Sequence, residues 1–255
     1  MTDQSAKAQQ LRSLQVPGDP VVLTNAWDAS SARTFVEAGF AAIATSSGAV
    51  AQVLGHSDGE NAPLDEVFAA IGRIARAVDV PVTADIERGY GLEPEEIVAQ
   101  LVGAGAIGCN LEDSYPATKE MVPTDEHAEW LGRVRTAANE RGVPIVINAR
   151  VDVHLRKWGE PDRRLGEAVA RAKRYIQAGA DSVYPIFLNE PEELRRFVEQ
   201  VDAPVNAVFM PGSSISAFAS LGVARVSFGT GLHQAADTAL KKMAERIAAG
   251  EDPYS

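Results

Sequence analysis

The feature that most constrains this chain is a strand–helix alternation that repeats eight times. Short β-branched runs lie at Val21–Thr24, Ala41–Thr45, Pro81–Ile86, Ile107–Leu111, Pro144–Ala149, Asp181–Ile186, Pro204–Phe209 and Arg225–Phe228. Ala- and charge-rich segments of helical period separate them, as in Glu95–Val102 and Arg163–Gln177. Strands alternating with helices imply βαβ units and a parallel sheet. A junction of helix end, Gly and new strand recurs in EAGFAAI, GAGAIGCNL, QAGADSVY and SLGVARVS. Gly is the usual residue just past a helix C-terminus, so these junctions mark one end of a barrel. Eight units in 255 residues predict a single α/β domain, a (β/α)8 TIM barrel spanning residues 1–255. No Gly-rich GxGxxG turn follows the first strand, which argues against a dinucleotide-binding sheet. Residues 1–18 are expected to form a covering helix and 250–255 a mobile tail.

Composition narrows the setting. The net charge of −11 disfavours nucleic acid or an anionic membrane as partner, yet leaves room for a small carboxylate substrate. No stretch approaches the ~20 apolar residues of a membrane span, and the N-terminus lacks a signal-peptide pattern. Cys109 is the only cysteine. A cytoplasmic location is the expectation.

Strand period fixes which side chains face the barrel axis. In PVTADIERG, Val82, Ala84 and Ile86 face the helices, and Thr83, Asp85 and Glu87 point inward. In IGCNLED, Ile107, Cys109 and Leu111 face out, leaving Asn110 and Glu112 inside. In IVINARVD, Ile145, Ile147 and Ala149 face out, leaving Asn148, Arg150 and Asp152 inside. Barrel enzymes place their chemistry at the C-terminal strand ends, where these polar groups gather. Three carboxylates at Asp85, Glu87 and Glu112 repel one another unless a cation compensates, and Arg150 alone does not balance three. Oxygen-only donors suit a hard ion, so Mg2+ is the expected metal, with Mn2+ as a substitute. The four histidines have no zinc-ligand spacing.

Ser47 and Gly48 end the second strand, where small residues let backbone N–H groups approach a carboxylate or oxyanion. Trp27 is expected to wall the pocket, Asp28 to cap the next helix, and Asn148 to join the substrate-binding set. Two connections exceed what a barrel needs, Ser46 to about Leu64 and Asp113 to about Pro123, and both follow strands. The second carries Lys119 and Glu120 as acid–base candidates and is expected to be a lid that is mobile without ligand.

The motifs TSSG (45–48), HSDG (56–59), ADIERGYG (84–91), NLED (110–113) and NARVD (148–152) resemble those of the phosphoenolpyruvate mutase/isocitrate lyase superfamily. The resemblance implies a Mg2+-dependent barrel handling enolpyruvate or 2-oxo acid intermediates. It implies Asp85 as direct metal ligand, with Glu87 and Glu112 holding the metal through water. Ser47 and Gly48 match substrate-carboxylate binders, Arg150 the arginine at the substrate, and Asp58 a loop acid near the reacting group. It further implies a homo-oligomer, dimer or tetramer, with the helix at Leu232–Ala248 exchanged between subunits. The chain departs from the superfamily's lyases after Asp113. Their Lys-x-Cys-Gly-His loop is replaced by SYPATKEMVPTDEH, in which Lys119 falls near the family lysine. The leading expectation is a lyase acting on a C–C bond next to a pyruvyl enolate in a small 2-oxo or 2-hydroxy dicarboxylic acid. Phosphonomutase-type P–C isomerisation, an oxaloacetate-type hydrolase or decarboxylase, and a non-catalytic metabolite-binding barrel are the alternatives.

Overall fold

The computed structural model describes residues 3–254. Its eight strands are all parallel: β1 (Val21–Ala26), β2 (Ile43–Thr45), β3 (Val82–Asp85), β4 (Gly108–Glu112), β5 (Val146–Val151), β6 (Ser182–Pro185), β7 (Asn206–Val208) and β8 (Arg225–Ser227). They pair in the order β6-β5-β4-β3-β2-β1-β8-β7, and a bridge between Val183 and Val205 closes the ring. The expected (β/α)8 barrel is present.

Helix α1 (Asp3–Ser13) plugs the N-terminal mouth. Its Ala8 and Leu11 are fully buried and cluster with Leu23, Ala42, Ala44, Ile107 and Val146 at the barrel base. Arg12 fixes the plug, donating to Asp181 Oδ1 (2.6 Å) and to the Pro144 carbonyl (2.8 Å). Ile107, expected toward the surrounding helices, joins this basal cluster because the chain only enters β4 at Gly108. The other outward assignments hold: Ala84, Ile86, Cys109, Leu111, Ile145, Ile147 and Ala149 all pack in the layer between strands and helices. Burial pushes the Cys109 thiol up to about 12, so it is inert packing.

Helices α2 (Ala29–Glu37), α3 (Ser47–Val53), α4 (Leu64–Arg76), α5 (Pro94–Ala104), α6 (Thr124–Glu140), α7 (Arg164–Gln177), α8 (Pro191–Gln200), α9 (Ile215–Ser220) and α10 (Gly231–Ala248) surround the strands. Asp28 caps α2 as expected, accepting from the Ser31 amide at 2.7 Å. The glycine junctions also appear where the sequence placed them. Gly179 adopts φ +108°, and a Cβ there would come within 2.9 Å of the Arg135 side chain, so both backbone and packing require glycine.

Of α10, His233 is the one buried residue. Leu240, Met243 and Ile247 are 65 %, 40 % and 61 % exposed and recur at helical spacing, an apolar stripe turned away from the barrel. After α10 the chain makes a short turn in which the Tyr254 amide donates to Asp252. Among the described residues, no helix is long and apolar enough to cross a membrane.

Candidate active site

The middle of the barrel is polar where branched aliphatic residues usually fill it. Asn148 is fully buried there, donating to Asn110 Oδ1 (2.8 Å) and Asn206 Oδ1 (3.1 Å) and accepting from Ser182 Oγ (2.8 Å). It supports the floor and does not line the cavity above. Arg225, which no sequence pattern marked, is also fully buried and donates to Asn110 Oδ1 at 3.2 Å. Its Nε and Nη1 have no protein partner, and burial pulls its pKa down to about 10.

Above this layer, at the C-terminal strand ends, a cavity of about 630 Å3 opens. Ser47, Gly48, Asp58, Asp85, Glu87, Glu112, Lys119 and Arg150 all line it, so the structure gathers these sequence candidates from strands β3, β4 and β5 and from the connections after β2, β3 and β4. Trp27 stands apart: its ring lies edge-on to His233 (4.9 Å) and Phe35 (6.2 Å), outside the lining.

The acids are held differently. Asp85 ends β3 and accepts from Ser47 Oγ through Oδ2 at 3.2 Å, while its Oδ1 is inaccessible and has no protein partner. Burial raises its pKa, with Arg150 opposing and Asp58 reinforcing. Glu87 follows in the left-handed region (φ +52°), as does Tyr90 (φ +57°). Non-glycine residues in that region are strained and persist where the surroundings hold them. Glu60 does the holding here, also at positive φ (+59°). Its carboxylate accepts from the amides of Arg88 (3.0 Å) and Tyr90 (2.7 Å), and its own amide donates to Glu87 Oε1 (2.8 Å). This clasp joins the Ser46–Leu64 connection to the β3 turn. A loop has no period, so no sequence signal pointed to Glu60.

Glu87 is raised to about 7, first by burial and then by Asp58, against the Glu60 amide bond. Its folded pKa therefore lies above the ordinary value of 4.5. The ionised form is disfavoured in the fold, so this group removes stability from the metal-free protein as pH rises from about 4.5 toward 7. Denaturation of the metal-free protein across that interval is expected to show the decline, and Glu87→Gln to flatten it. An unchanged slope in the variant would assign the decline to other groups.

Glu112 and Arg150 are register partners on β4 and β5 and form a direct ion pair. Arg150 Nε also donates to Asp152 Oδ1 at 2.7 Å, and Nη2 to Oδ2 at 3.0 Å. Burial opposes the charge of Arg150, but Asp152 and Glu112 outweigh it and keep the guanidinium protonated. Burial raises Glu112 well above the ordinary carboxylate range despite Arg150, helped by Asp152, Asp85 and Glu87. Asp152, fully buried, is tied in turn to Ser114, to Arg156 and, through its amide, to Asp113 (2.7 Å). Asp113 accepts from the Tyr175 hydroxyl (2.8 Å) and Arg171 (3.1 Å). A chain of packed ion pairs thus fixes the rotamer of Arg150.

Ser46 caps α3, accepting from the Ala49 amide at 3.3 Å. The stretch expected to be loop from Ser46 to Leu64 therefore opens as a helix, because Ser46 supplies the cap that starts one. Ser47 and Gly48 form its first turn, whose N–H groups have no partner within a helix. A Cβ on Gly48 would lie 2.7 Å from Thr230 Cγ2 and 3.2 Å from Asp58 Oδ2, so glycine is required for Asp58 and the β8 connection to close here. The second connection is no open flap. A bridge joins Ser114 to Met121, the Tyr115 amide donates to Glu120 O (2.9 Å), and the Lys119 amide to Tyr115 O (2.8 Å). Lys119 sits at its tip with φ +65° and its Nζ close to Gly59.

Four carboxylates line the cavity against three cations, Lys119, Arg150 and Arg156, and the two arginines already serve Asp152. Among the described residues, no three His, Cys, Asp or Glu groups converge to enclose an ion by themselves. Excess negative charge, an orphaned Asp85 oxygen and an all-oxygen donor set fit a hard cation that keeps water or substrate oxygens in its shell.

The sequence model of phosphoenolpyruvate phosphomutase matches residues 11–248. The chain belongs to the phosphoenolpyruvate mutase/isocitrate lyase superfamily. Within this superfamily it is 33 % identical to a probable 2-methylisocitrate lyase of Corynebacterium glutamicum, over 72 % of this chain and 61 % of that one. A crystal structure from Burkholderia cenocepacia, described as a candidate phosphonomutase, superposes with TM-score 0.90 at 40 % identity, covering 94 % of this chain and 99 % of that one. A phosphonopyruvate hydrolase in complex with oxalate and Mg2+ superposes with TM-score 0.84 at 26 % identity, covering 96 % and 87 %. Superfamily members thus act on small carboxylic acids and phosphonates, as these names record, and the shared barrel places the phosphoenolpyruvate mutase-type motifs of this chain around one cavity.

Proposed function

We propose that this protein is a Mg2+-dependent enzyme that makes or breaks a C–C bond next to a pyruvyl enolate in a small 2-oxo or 2-hydroxy acid. The observation that carries this reading is the single cavity shared by Asp85, Glu87, Glu112, Arg150 and the first turn of α3. Asp85 would hold the ion directly, and Glu87 and Glu112 through water; Mn2+ would serve in the same site. When bound, the cation supplies Lewis-acid stabilisation of a developing enolate oxygen, worth several kcal/mol.

The chain's own groups do the rest. The Ser47 and Gly48 amides hold the substrate carboxylate at the start of α3. Arg150, its rotamer fixed by Glu112 and Asp152, presents a permanent charge to the enolate oxygen. Lys119 delivers a proton to the enolate carbon after bond cleavage, and Asp58 sits beside the reacting group. The loop bearing Lys119 shields these events from water, tightening further around bound ligand.

The test is a crystal soaked with Mg2+ and oxalate, an enolpyruvate mimic, followed by a screen of 2-oxo and 2-hydroxy acids for pyruvate or another 2-oxo acid product. Lys119→Ala is expected to reduce turnover by ~100-fold or more, the usual scale for a positioned acid–base group, with oxalate affinity barely changed. Unaltered turnover in that variant would place the proton donor elsewhere. The 40 % identity to a candidate phosphonomutase supports P–C chemistry as the second reading. Turnover of phosphonopyruvate without cleavage of any C–C substrate would favour it.

The apolar stripe of α10 supports the proposed homo-oligomer, with this helix packed on or exchanged with a neighbouring subunit. Leu240→Glu together with Ile247→Glu is expected to shift the protein to monomer in light scattering. A wild-type protein that already runs as a monomer at micromolar concentration would end this proposal.

A further inference from the structure

The cavity is much larger than a pyruvyl unit, and its two halves differ in chemistry. The ends of β3, β4 and β5, with the connections after β2 and β3, furnish Ser47, the four carboxylates and Arg150. The ends of β6, β7 and β8, with the connection after β5, furnish Leu155, Ile186, Phe187, Val208, Phe209 and Phe228. Given the enolate reading above, on which this step rests, we infer that the substrate carries an aliphatic or aromatic group beyond its 2-oxo acid end, in place of a second carboxylate.

Three observations carry the inference. The first is the wall itself: Phe209 and Phe228 pack at 5.1 Å between ring centroids and leave a face to the cavity. The polar groups that also line this half, Tyr184, Thr230 and Gln234, are uncharged, so a carboxylate pressed here loses hydration without gaining a counter-charge.

The second is charge. Arg156, the lining cation beyond the end of β5, is committed, donating to Ser114 Oγ at 2.9 Å and lying 3.6 Å from Asp152, and Arg150 is held by Glu112 and Asp152. The lining has four carboxylates and three cations. A divalent ion reverses that imbalance by a single positive charge, which one substrate carboxylate closes. A second carboxylate would reopen it in a site already crowded with acids.

The third is Phe187. It is 41 % exposed at the cavity mouth and adopts φ +61°. A bulky aromatic in the left-handed region is a true outlier, and exposing its ring forgoes the usual gain of burial. Both costs are recovered if the ring closes on an apolar group of the ligand. Phe187 is therefore the specificity-determining residue at the mouth.

The experiment is calorimetric binding to the full chain in saturating Mg2+, with oxalate, 4-methyl-2-oxopentanoate and 2-oxoglutarate as probes. Oxalate reports the polar half alone. The branched-chain acid is expected to bind at least about tenfold more tightly than 2-oxoglutarate, the scale of a few methylenes in an apolar pocket. Phe187→Ala, at an exposed site that does not endanger folding, is expected to narrow that ratio severalfold and leave oxalate unchanged. If oxalate binds and 2-oxoglutarate equals or exceeds the branched acid, the apolar-tail inference falls and the enolate reading stands. A ratio untouched by Phe187→Ala overturns the role of that residue and of the wall it completes. If oxalate does not bind, both readings fall together.

Discussion

With Asp85 as the proposed direct ligand, Asp85→Ala is expected to make the melting temperature insensitive to Mg2+, while leaving the barrel folded. A ligand that binds only the native state stabilises it by RT ln(1 + [L]/Kd), about 2.7 kcal/mol at a hundredfold excess over Kd. In the wild type, millimolar Mg2+ should therefore raise the melting temperature by several degrees, and in the variant by none. The metal-free variant should also be more stable than the metal-free wild type. Burial raises the Asp85 pKa above its ordinary value of 3.8, so its ionised form opposes folding at neutral pH. That cost is absent below the ordinary pKa and accumulates above it. Turnover should fall with metal affinity. Thermal melts of both proteins with and without Mg2+ decide the matter. A wild-type melt insensitive to Mg2+ would remove the metal from the proposal.

Arg150 carries the second large effect, and here stability and chemistry move together. Arg150→Met leaves Glu112 and Asp152 buried without their shared counter-charge. Removing one partner of a buried ion pair typically costs ~3–5 kcal/mol. Denaturant melts should show a loss approaching that order at alkaline pH, shrinking as pH falls and Glu112 takes up its proton above the ordinary carboxylate range. Arg150→Lys restores the charge without the planar fork that engages both carboxylates. Its stability should recover in part, while turnover stays down by ~100-fold or more, the scale of a lost oxyanion donor. A fully active lysine variant would mean that the site uses charge alone at this position.

Together these variants separate the two tasks of the acidic cluster. Asp85 has an unpartnered oxygen, the one assigned to the cation in the proposed function, whereas Glu112 and Asp152 are bound to Arg150. The sequence treats Asp85, Glu87 and Glu112 as one kind of residue, because alternation along a strand reports only direction. The register that sets Glu112 opposite Arg150, and the clasp that ties Glu87 to the Glu60 amide, make them distinct.

What the sequence determined by itself was whatever follows from local periodicity. Alternation in β3, β4 and β5 sorted inward from outward residues, and the Gly junctions located one end of the barrel. The barrel and the inward direction of Asp85, Glu112 and Arg150 follow from those short-range rules. Ile107 escaped them because it precedes the strand, where the period no longer applies. Tertiary structure decided the depth and partnership of each group. Asn148 and Arg150 share a face of one strand, yet one step of that strand separates a buried floor residue from a cavity residue. Trp27 was carried off toward His233 by the packing of α10. The apolar wall is assembled from residues at and beyond the ends of four strands, and Phe187 and Glu60 lie in connections without periodicity. Their neighbours are far away in sequence, so only closure of the ring and packing of its loops bring them to the cavity.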